Sequence, residues 1–563
     1  VENSTNYHNG RNKSKKYSAF IKKTIYQNKN NEAIMIEVSK SHDFLMFPDI
    51  DSVWTLRKKL YTDKGFIIFK EKDSSFADGH HELNLILTDT ASTRGIRIKN
   101  LVKEGLFYEV KAVIDTVSEP SRFIAEFFKN FKPSDTLIGK NMLTDKTPAF
   151  FEALRNNDSI LIGGYRFITF KKQHIDSLKW YISKFNFPYD KKNIQEFLIR
   201  SLGRLDSPEV LPFFKRFYTS SYNNSNAQTK ILQAVTKTAD EKSVELLLDL
   251  LSKDLPLTSN TFEIYSIFKP YMDSLPMAKK LYPELLDYSA IQEYKSPIFS
   301  MLAQLVAKGL VKPKSYKKFR KQMLNDAKMQ LKRQLGLSNY RVTNRKAQRN
   351  YRNKGKGVLE DYVVILYPFR KEKGMQQFFQ RLLLVKDKKI RTTYVSLLAK
   401  DNLPIPKGML NSLAKDLNSR NLLFNKLKSV EKLNLFPKAY RNEKSLAEAS
   451  EFELKPFTEQ QDSIVFVQQK LLTYRGEEYT GYYFKTRNNL DYDTNFEMHL
   501  IVFEKGKDLT TKPFYTNKGL RIEDIDTDED ALNYVTEAFL LKDRKRATVH
   551  RPNGYGGYGF NGY

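Results

Sequence analysis

The chain of 563 residues contains no cysteine. This absence excludes disulfides, thiolate-bound metals, iron–sulfur clusters and cysteine nucleophiles. No uncharged apolar run reaches the roughly 20 residues that a membrane-spanning helix requires. The best candidate, residues 160–170, is too short and contains Arg166. We therefore expect no transmembrane segment and no thiol chemistry.

Catalytic sequence motifs are absent as well. The sequence has no phosphate-binding Gly-x-x-x-x-Gly-Lys-Ser/Thr loop, no dinucleotide fingerprint and no Gly-x-Ser-x-Gly elbow. Its seven histidines form no His-x-x-x-His pair. The one local pair, His80 and His81 after Asp78 and Gly79, is expected to be a turn between strands. We therefore predict no catalytic residues, no bound metal and no cofactor.

An acidic run near the C-terminus is the other candidate for a metal site. It contains Glu523, Asp524, Asp526, Asp528, Glu529 and Asp530. Carboxylates are the ligands that calcium prefers, but the run lacks the spacing and the internal glycine of an EF-hand. Acidic residues also favour a helix N-terminus. Capping of a helix that follows Thr527 is therefore the preferred interpretation.

What the chain has in excess is positive charge. It carries 94 Lys and Arg against 65 Asp and Glu, a net charge of +29. Residues 312–356 hold sixteen of these basic residues and one acid, Asp326, a net charge of +15. Clustered Lys and Arg release counterions when they bind phosphates. An acidic protein or lipid headgroups are alternative partners, and codon bias is the alternative explanation for part of the overall excess.

The second half of this basic stretch has almost no apolar residues, so we expect an exposed loop or a mobile insertion. It would contact an anionic partner, which is an acidic protein, lipid headgroups or nucleic acid. The candidate contact residues are Arg341, Arg345, Lys346, Arg349, Arg352, Lys354 and Lys356.

A repeat organises the middle of the chain. Two stretches match at an offset of 34 residues, with Leu198, Leu205, Asp206, Val210 and Phe214 in the first and Leu232, Ala239, Asp240, Val244 and Leu248 in the second. A third copy, shifted by one residue, brings Asp273 into register. Each copy predicts an apolar helix, a short turn and a second apolar helix. One such pair cannot bury both apolar faces, so neighbouring pairs must stack.

Residues 202–214, LGRLDSPEVLPFF, resemble the helix–turn–helix of HEAT-like repeats. The resemblance covers about 190–320, and a further stretch lies at 375–440. It implies an α-solenoid, whose long concave surface suits the binding of another protein. An ordinary helical bundle is the alternative interpretation.

Short alternating apolar runs on both sides of the helical part predict β-structure. A strand or hairpin is also expected around Gly163–Gly164. The predicted fold class is multidomain α+β. In chain order we expect a basic N-terminal arm at 1–32, a β-sandwich-like domain at 33–117, a mixed α/β connector at 118–189, HEAT-like helical repeats at 190–320, a basic loop or insertion at 321–357, a second helical region at 358–445, an antiparallel β-rich C-terminal domain at 446–546 and a Gly/Tyr-rich tail at 547–563.

The order of these elements, with three phrases, is similar to the long C-terminal region of large TraB/GumN-family proteins of Bacteroidota. The phrases are TLIGKNM at 136–142, DYVVILYPF at 361–369 and EYTGYYF at 478–484. In that family a hydrolase domain with Gly-x-x-His and glutamate motifs precedes such a region. Those motifs have no counterpart here, so the resemblance transfers no catalytic residue. It implies an accessory half of a cell-envelope protein, and the start at Val1 predicts a processed or truncated product.

Together these patterns favour a non-catalytic protein-interaction scaffold. We expect a subunit or accessory region of a bacterial cell-envelope assembly, periplasmic or associated with the outer membrane, with other proteins of that complex as partners. A nucleic-acid-binding protein that uses 312–356 is one alternative. The accessory half of a TraB/GumN-like hydrolase, whose catalytic domain is not in this chain, is another. A cytoplasmic location is the alternative for localisation.

Overall fold

The computed structural model describes residues 2–6, 20–89, 92–133, 135–158, 162–188, 191–258, 261–336, 358–454, 462–488, 496–517, 519–522 and 527–543. These residues form two compact units. One contains the described residues up to Val210 together with Asp543, and the other contains those from Leu211 to Lys542. Within the described ranges, no helix is both long enough and apolar enough to cross a membrane. The predicted tail at 547–563 lies outside them.

The first unit is built on a seven-stranded antiparallel sheet. Its strand order is β1-β2-β3-β7-β6-β5-β4. The strands are β1 Glu2–Asn6, β2 Phe20–Gln27, β3 Ala33–Lys40, β4 Ile67–Ser75, β5 His81–Asp89, β6 Ser92–Lys103 and β7 Leu106–Asp115. β2 begins inside the segment that we predicted as a basic arm, and Lys23 there pairs with Glu37 of β3 at 2.8 Å.

Helices, and not a second sheet, cover this sheet, so the predicted β-sandwich is wrong. Helix α1, Ile50–Thr62, buries Trp54 against Leu85 on one face. Helix α2, Arg122–Asn130, buries Phe128 against Val110 on the other. Because β7 is apolar at positions that point both ways, each of its faces needs a covering layer.

Short helices complete the first unit. They are α3 Thr147–Arg155, α4 Ile175–Lys184 and α5 Lys192–Leu202. The strand or hairpin predicted around Gly163–Gly164 is absent from residues 162–170, where a 3-10 turn, Tyr165–Phe167, is present. A Cβ atom at Gly164 would lie 2.0 Å from Cε1 of His42, so this glycine admits the imidazole ring. The close packing of the His42 ring, and not a hairpin turn, therefore explains why residue 164 is a glycine.

The second unit begins with a long run of helices. They are α6 Val210–Ser220, α7 Ser225–Val235, α8 Glu241–Lys253, α9 Thr261–Asp273, α10 Leu275–Lys280, α11 Gln292–Ala307, α12 Pro313–Tyr316, α13 Arg320–Gly336, α14 Val358–Leu366, α15 Lys373–Leu382, α16 Lys388–Lys400, α17 Met409–Lys415, α18 Leu417–Ser429 and α19 Glu443–Leu454. Their packing is successive: α7 contacts α9, α9 contacts α11, α11 contacts α14, and the series continues through α16 and α18 to α19. We call the series α7, α9, α11, α14, α16, α18 and α19 the row of helices. The helices that pack beside this row are α8, α10, α13, α15 and α17.

Several polar contacts in this row join residues about one helix pair apart along the chain. The separations are 30 for Gln233 to Glu263, 38 for Tyr294 to Pro256, 33 for Thr393 to Glu360 and 30 for Tyr367 to Leu397. Each helix pair is therefore tied to the next one along the chain.

The predicted loop or insertion at 321–357 begins inside a helix. α13 covers 320–336 and buries Met323, Ala327 and Leu331, which are spaced by four residues and lie on one helix face. A three-residue apolar stripe within so many charges is a weak sequence signal, which explains the error. Residues 337–357 lie outside the described ranges.

The second unit ends in a five-stranded antiparallel sheet. Its strands are β8 Asp462–Tyr474, β9 Glu477–Asn488, β10 Phe496–Glu504, β11 Tyr515–Thr516 and β12 Leu520–Ile522. Helix α20, Asp528–Leu540, packs on one face through Phe539, and α19 packs on the other through Ala447. The predicted order of an antiparallel sheet, a helical region and a second antiparallel sheet is confirmed.

Buried tyrosines link neighbouring helix pairs, which generates a stability prediction. Tyr294 is fully buried, and its hydroxyl donates to the carbonyl oxygen of Pro256 at 3.0 Å. We expect Tyr294→Phe to lower the free energy of unfolding by about 1 kcal/mol, because the carbonyl loses this donor. Denaturant unfolding measures the change. The control is Tyr222→Phe, since Tyr222 is 73% exposed; an equal loss in both variants would contradict the assignment.

Candidate functional site

The basic stretch is only partly within the described structure. Residues 312–336 contain nine of its sixteen basic residues and its one acid, Asp326. The predicted contact residues Arg341, Arg345, Lys346, Arg349, Arg352, Lys354 and Lys356 all lie outside the described residues. The surface that the structure describes is therefore formed by residues 312–336.

Helix α13 presents a cationic side to solvent. Its apolar stripe packs on α14 and α15, which leaves Lys321, Lys332 and Arg333 exposed. Two basic residues of the described half have exposed or partly exposed carboxylate partners: Lys318 lies 3.6 Å from Asp287, and Arg320 lies 3.1 Å from Glu372. Positive charge on this side is therefore largely uncompensated.

The single acid of the stretch does not neutralise that side. Asp326 lies 3.0 Å from Nζ of Lys295 on α11 and accepts a hydrogen bond from the Tyr362 hydroxyl of α14 at 3.4 Å. Its charge is thus used in a contact between helices. The exposed side of α13 keeps its positive charge.

A second titratable cluster lies at the turn between β4 and β5, as predicted. The His80 ring stacks on Phe76 at 4.2 Å, and its Nδ1 contacts Asp78. Its Nε2 is 3.5 Å from Glu82, which Lys99 pairs at 2.9 Å. These partners give the buried imidazole a structural role. No group of three or more His, Asp or Glu within the described ranges is arranged to hold a metal ion.

Helix capping explains the described part of the acidic run. Asp528, Glu529 and Asp530 lie in the first turn of α20, and Thr527 forms a reciprocal capping box with Asp530. The hydrogen bonds from Thr527 lower the pKa of Asp530. The capping interpretation is therefore confirmed for these residues, whereas Glu523, Asp524 and Asp526 lie outside the described residues.

A buried histidine–carboxylate pair escaped the sequence reasoning. His499 of β10 and Glu451 of α19 are each 1% exposed, and Nδ1 lies 2.9 Å from Oε1 of the glutamate. Nε2 of His499 lies 2.9 Å from the Thr486 hydroxyl. This pair joins the last helix of the row to the C-terminal sheet. The two residues come from distant elements with no shared motif, so only tertiary structure could reveal them.

Two adjacent acids on α14 form a further buried cluster. Glu360 accepts from Thr393 at 2.7 Å, and Lys389 and Lys426 lie within 3.2 Å of it. Burial opposes its ionisation, but these partners hold the pKa of Glu360 below its ordinary value. For Asp361, burial and then the charge of Glu360 raise the pKa to about 7. The carboxyl group of Asp361 therefore gains or loses its proton near neutral pH, at a position inside the row of helices.

Comparisons with known proteins assign no family. No protein-family model and no curated protein matches the chain. A solved structure described as lipid–protein interactions in lipovitellin is similar at 12% sequence identity and a TM-score of 0.20. The alignment covers 89% of this chain and 55% of that chain, so this chain spans little more than half its length. A likeness at this TM-score carries no argument about fold or function.

The Asp361 site predicts a pH-dependent stability. The pKa of Asp361 is about 7 in the native state, against an ordinary value of 3.8. Between pH 3.8 and pH 7 this carboxyl is therefore protonated more in the native state than in the unfolded state. The free energy of unfolding falls as the pH rises through this range. Asp361→Asn removes this cost. We expect the variant to be more stable than the native chain by about 1 to 2 kcal/mol above pH 7, with the gain vanishing towards pH 4.

Urea unfolding across this pH range measures the difference. The matched control is Asp287→Asn, an exposed position in the same unit, for which we expect no pH-dependent gain. A gain for Asp361→Asn that is constant with pH would contradict the role of its ionisation.

Proposed function

We propose that the chain is a non-catalytic interaction scaffold in which the central helices form a HEAT-like α-solenoid and the basic stretch binds an anionic partner. Successive packing from α7 to α19 supports the solenoid, as do polar contacts between residues 30 to 38 apart. An array in which each repeat contacts its neighbours produces this pattern.

The observation that carries the proposal is the cationic side of α13. Its helix is held in place by buried Met323, Ala327 and Leu331, so the exposed Lys321, Lys332 and Arg333 are fixed on a packed element. Fixed charges of one sign attract a complementary surface and orient it. A solvated, mobile insertion would not provide a fixed surface.

Among the anionic partners, we propose an acidic protein. Binding of single-stranded nucleic acid relies on exposed aromatic rings that stack on bases. The tyrosine of the described half, Tyr316, is fully buried, and its hydroxyl donates to the carbonyl of Ile365 at 3.0 Å. It is therefore unable to stack on a base. Nucleic acid is the competing outcome in the experiment below.

The cellular setting rests on resemblance. We propose a subunit or accessory region of a bacterial cell-envelope assembly, periplasmic or outer-membrane associated, similar to the C-terminal region of TraB/GumN-family proteins. Two of the three shared phrases are mostly buried: 361–369 spans the end of α14 and the 3-10 turn after it, and 478–484 lies in β9. Their likeness therefore supports a shared core and names no active site.

Charge removal on the basic stretch tests the proposal. We expect K317Q/K318Q/K321Q to bind fluorescent polyglutamate about tenfold more weakly than the native chain, because three exposed positive charges are lost. Fluorescence anisotropy at low and high salt measures the affinity. The control K237Q/K242Q/K279Q removes three exposed lysines elsewhere in the same unit and should bind as the native chain does.

Defined probes separate the alternatives. Salt-sensitive binding of single-stranded or duplex DNA, lost in K317Q/K318Q/K321Q while polyglutamate binding is absent, would replace the scaffold proposal with the nucleic-acid alternative. Equal binding of polyglutamate by both triple variants would contradict a role for the stretch. In gently lysed source cells, the native chain should retain a partner protein at fixed stoichiometry, and the K317Q/K318Q/K321Q variant should lose it.

A further inference from the structure

A cationic cleft lies on the sheet of the first unit, on the face that α2 covers. Phe128 of α2 packs over β7, but towards the β4 edge Ile86 is only partly buried. A cavity of about 410 Å³ opens there, with Lys70, Lys72, Asn84 and Arg97 in its wall. This volume lies in the range of small-ligand sites, about 300–1,000 Å³.

Strand register brings the cations of this cleft onto one face. Lys70 pairs with Ile86, which pairs in turn with Arg97, and Lys72 pairs with Asn84 one step along the strands. Directly paired residues point to the same side of a sheet. Three positive side chains and one amide from three adjacent strands therefore converge.

No carboxylate compensates Arg97 within the described residues. Its guanidinium is partly buried and lies over the Phe128 ring at 4.8 Å. Burial lowers the pKa of Arg97, which is the direction expected for a charge without an anionic partner. Partial burial of a cation carries a desolvation cost that an anion beside it would offset.

The nearby acids are already paired. Glu71 contributes to the cavity wall but pairs with Lys58 of α1 at 2.8 Å. Glu82, one row along β5, is held by Lys99 at 2.9 Å, although its other oxygen lies 3.5 Å from the amide of Asn84. The cleft is left with an excess of donors and positive charge.

The first turn of α2 adds to this field. Pro120, directly before the N-cap residue Ser121, lines the cavity. Helix N-termini carry partial positive charge and favour anions. This contribution is secondary to the three side-chain cations.

We infer that this cleft binds a phosphate-bearing ligand through Arg97, Lys70 and Lys72, with Asn84 as a neutral donor. A guanidinium matches two phosphate oxygens with parallel hydrogen bonds, and lysines supply point charges to the remaining oxygens. A phosphate dianion or a pyrophosphate balances three cations better than a single carboxylate does. The source is a soluble phosphate compound or a phospholipid headgroup.

Titration of the full chain tests the inference. Inorganic phosphate and pyrophosphate are titrated by calorimetry, and vesicles of phosphatidylcholine with and without phosphatidic acid are tested by flotation. We expect saturable binding of pyrophosphate or of phosphatidic acid vesicles, weakened at least about tenfold in K70Q/K72Q, where both lysines are exposed and their loss leaves the core intact. The control K29Q/K129Q removes two exposed lysines outside the cavity wall and should bind as the native chain does.

Further variants sharpen the result. R97K keeps the charge but removes the guanidinium fork, so it should weaken binding less than K70Q/K72Q does. K317Q/K318Q/K321Q should leave this binding unchanged, which separates the cleft from the basic stretch. Binding of vesicles alone, lost in K70Q/K72Q, identifies a lipid headgroup as the source. Absence of binding to every probe, or equal binding by K70Q/K72Q and K29Q/K129Q, would overturn the inference.

Discussion

The central helices have apolar side chains on more than one side, and this constraint governs the second unit. In α11, Ile298, Phe299 and Met301 are all fully buried, and they point in different directions around the helix. One partner helix cannot cover them, so α11 packs between α9 and α14. The same requirement repeats along the chain. It produces a row whose members are held by their neighbours.

The distribution of charge follows from this packing. Several carboxylates are used inside the molecule, where Asp326 ties α11 to α14, Glu360 receives two lysines, and Glu451 meets His499. Each of these contacts also uses a basic partner, so the internal pairs leave the excess of positive charge undiminished. The net excess of 94 basic over 65 acidic residues therefore appears on surfaces, including α13 in one unit and the cleft at Arg97 in the other.

The sequence predicted the strands and helices themselves better than it predicted which elements pack against them. Alternating apolar runs correctly indicated the terminal sheets, and apolar residues at helical spacing correctly indicated the central helices, because a period of two residues reflects strand geometry and a period of about 3.6 reflects the helix. The sandwich prediction failed because a strand pattern does not reveal whether a sheet or a helix covers it. Helix α13 was not predicted because its apolar stripe, from Met323 to Leu331, contains only three residues among many charged ones. The cleft at Arg97 and the His499–Glu451 pair depend on register and tertiary contacts, which no local motif encodes.

Native-state hydrogen exchange tests the central claim that helix pairs depend on their neighbours. Phe268→Leu weakens α9, where Phe268 is fully buried, by about 1 kcal/mol. Because α9 contacts α7 and α11, the account predicts reduced exchange protection in those three helices, with α16 and α18 keeping theirs. An equal loss of protection in all five helices would contradict it and would indicate one common cooperative core.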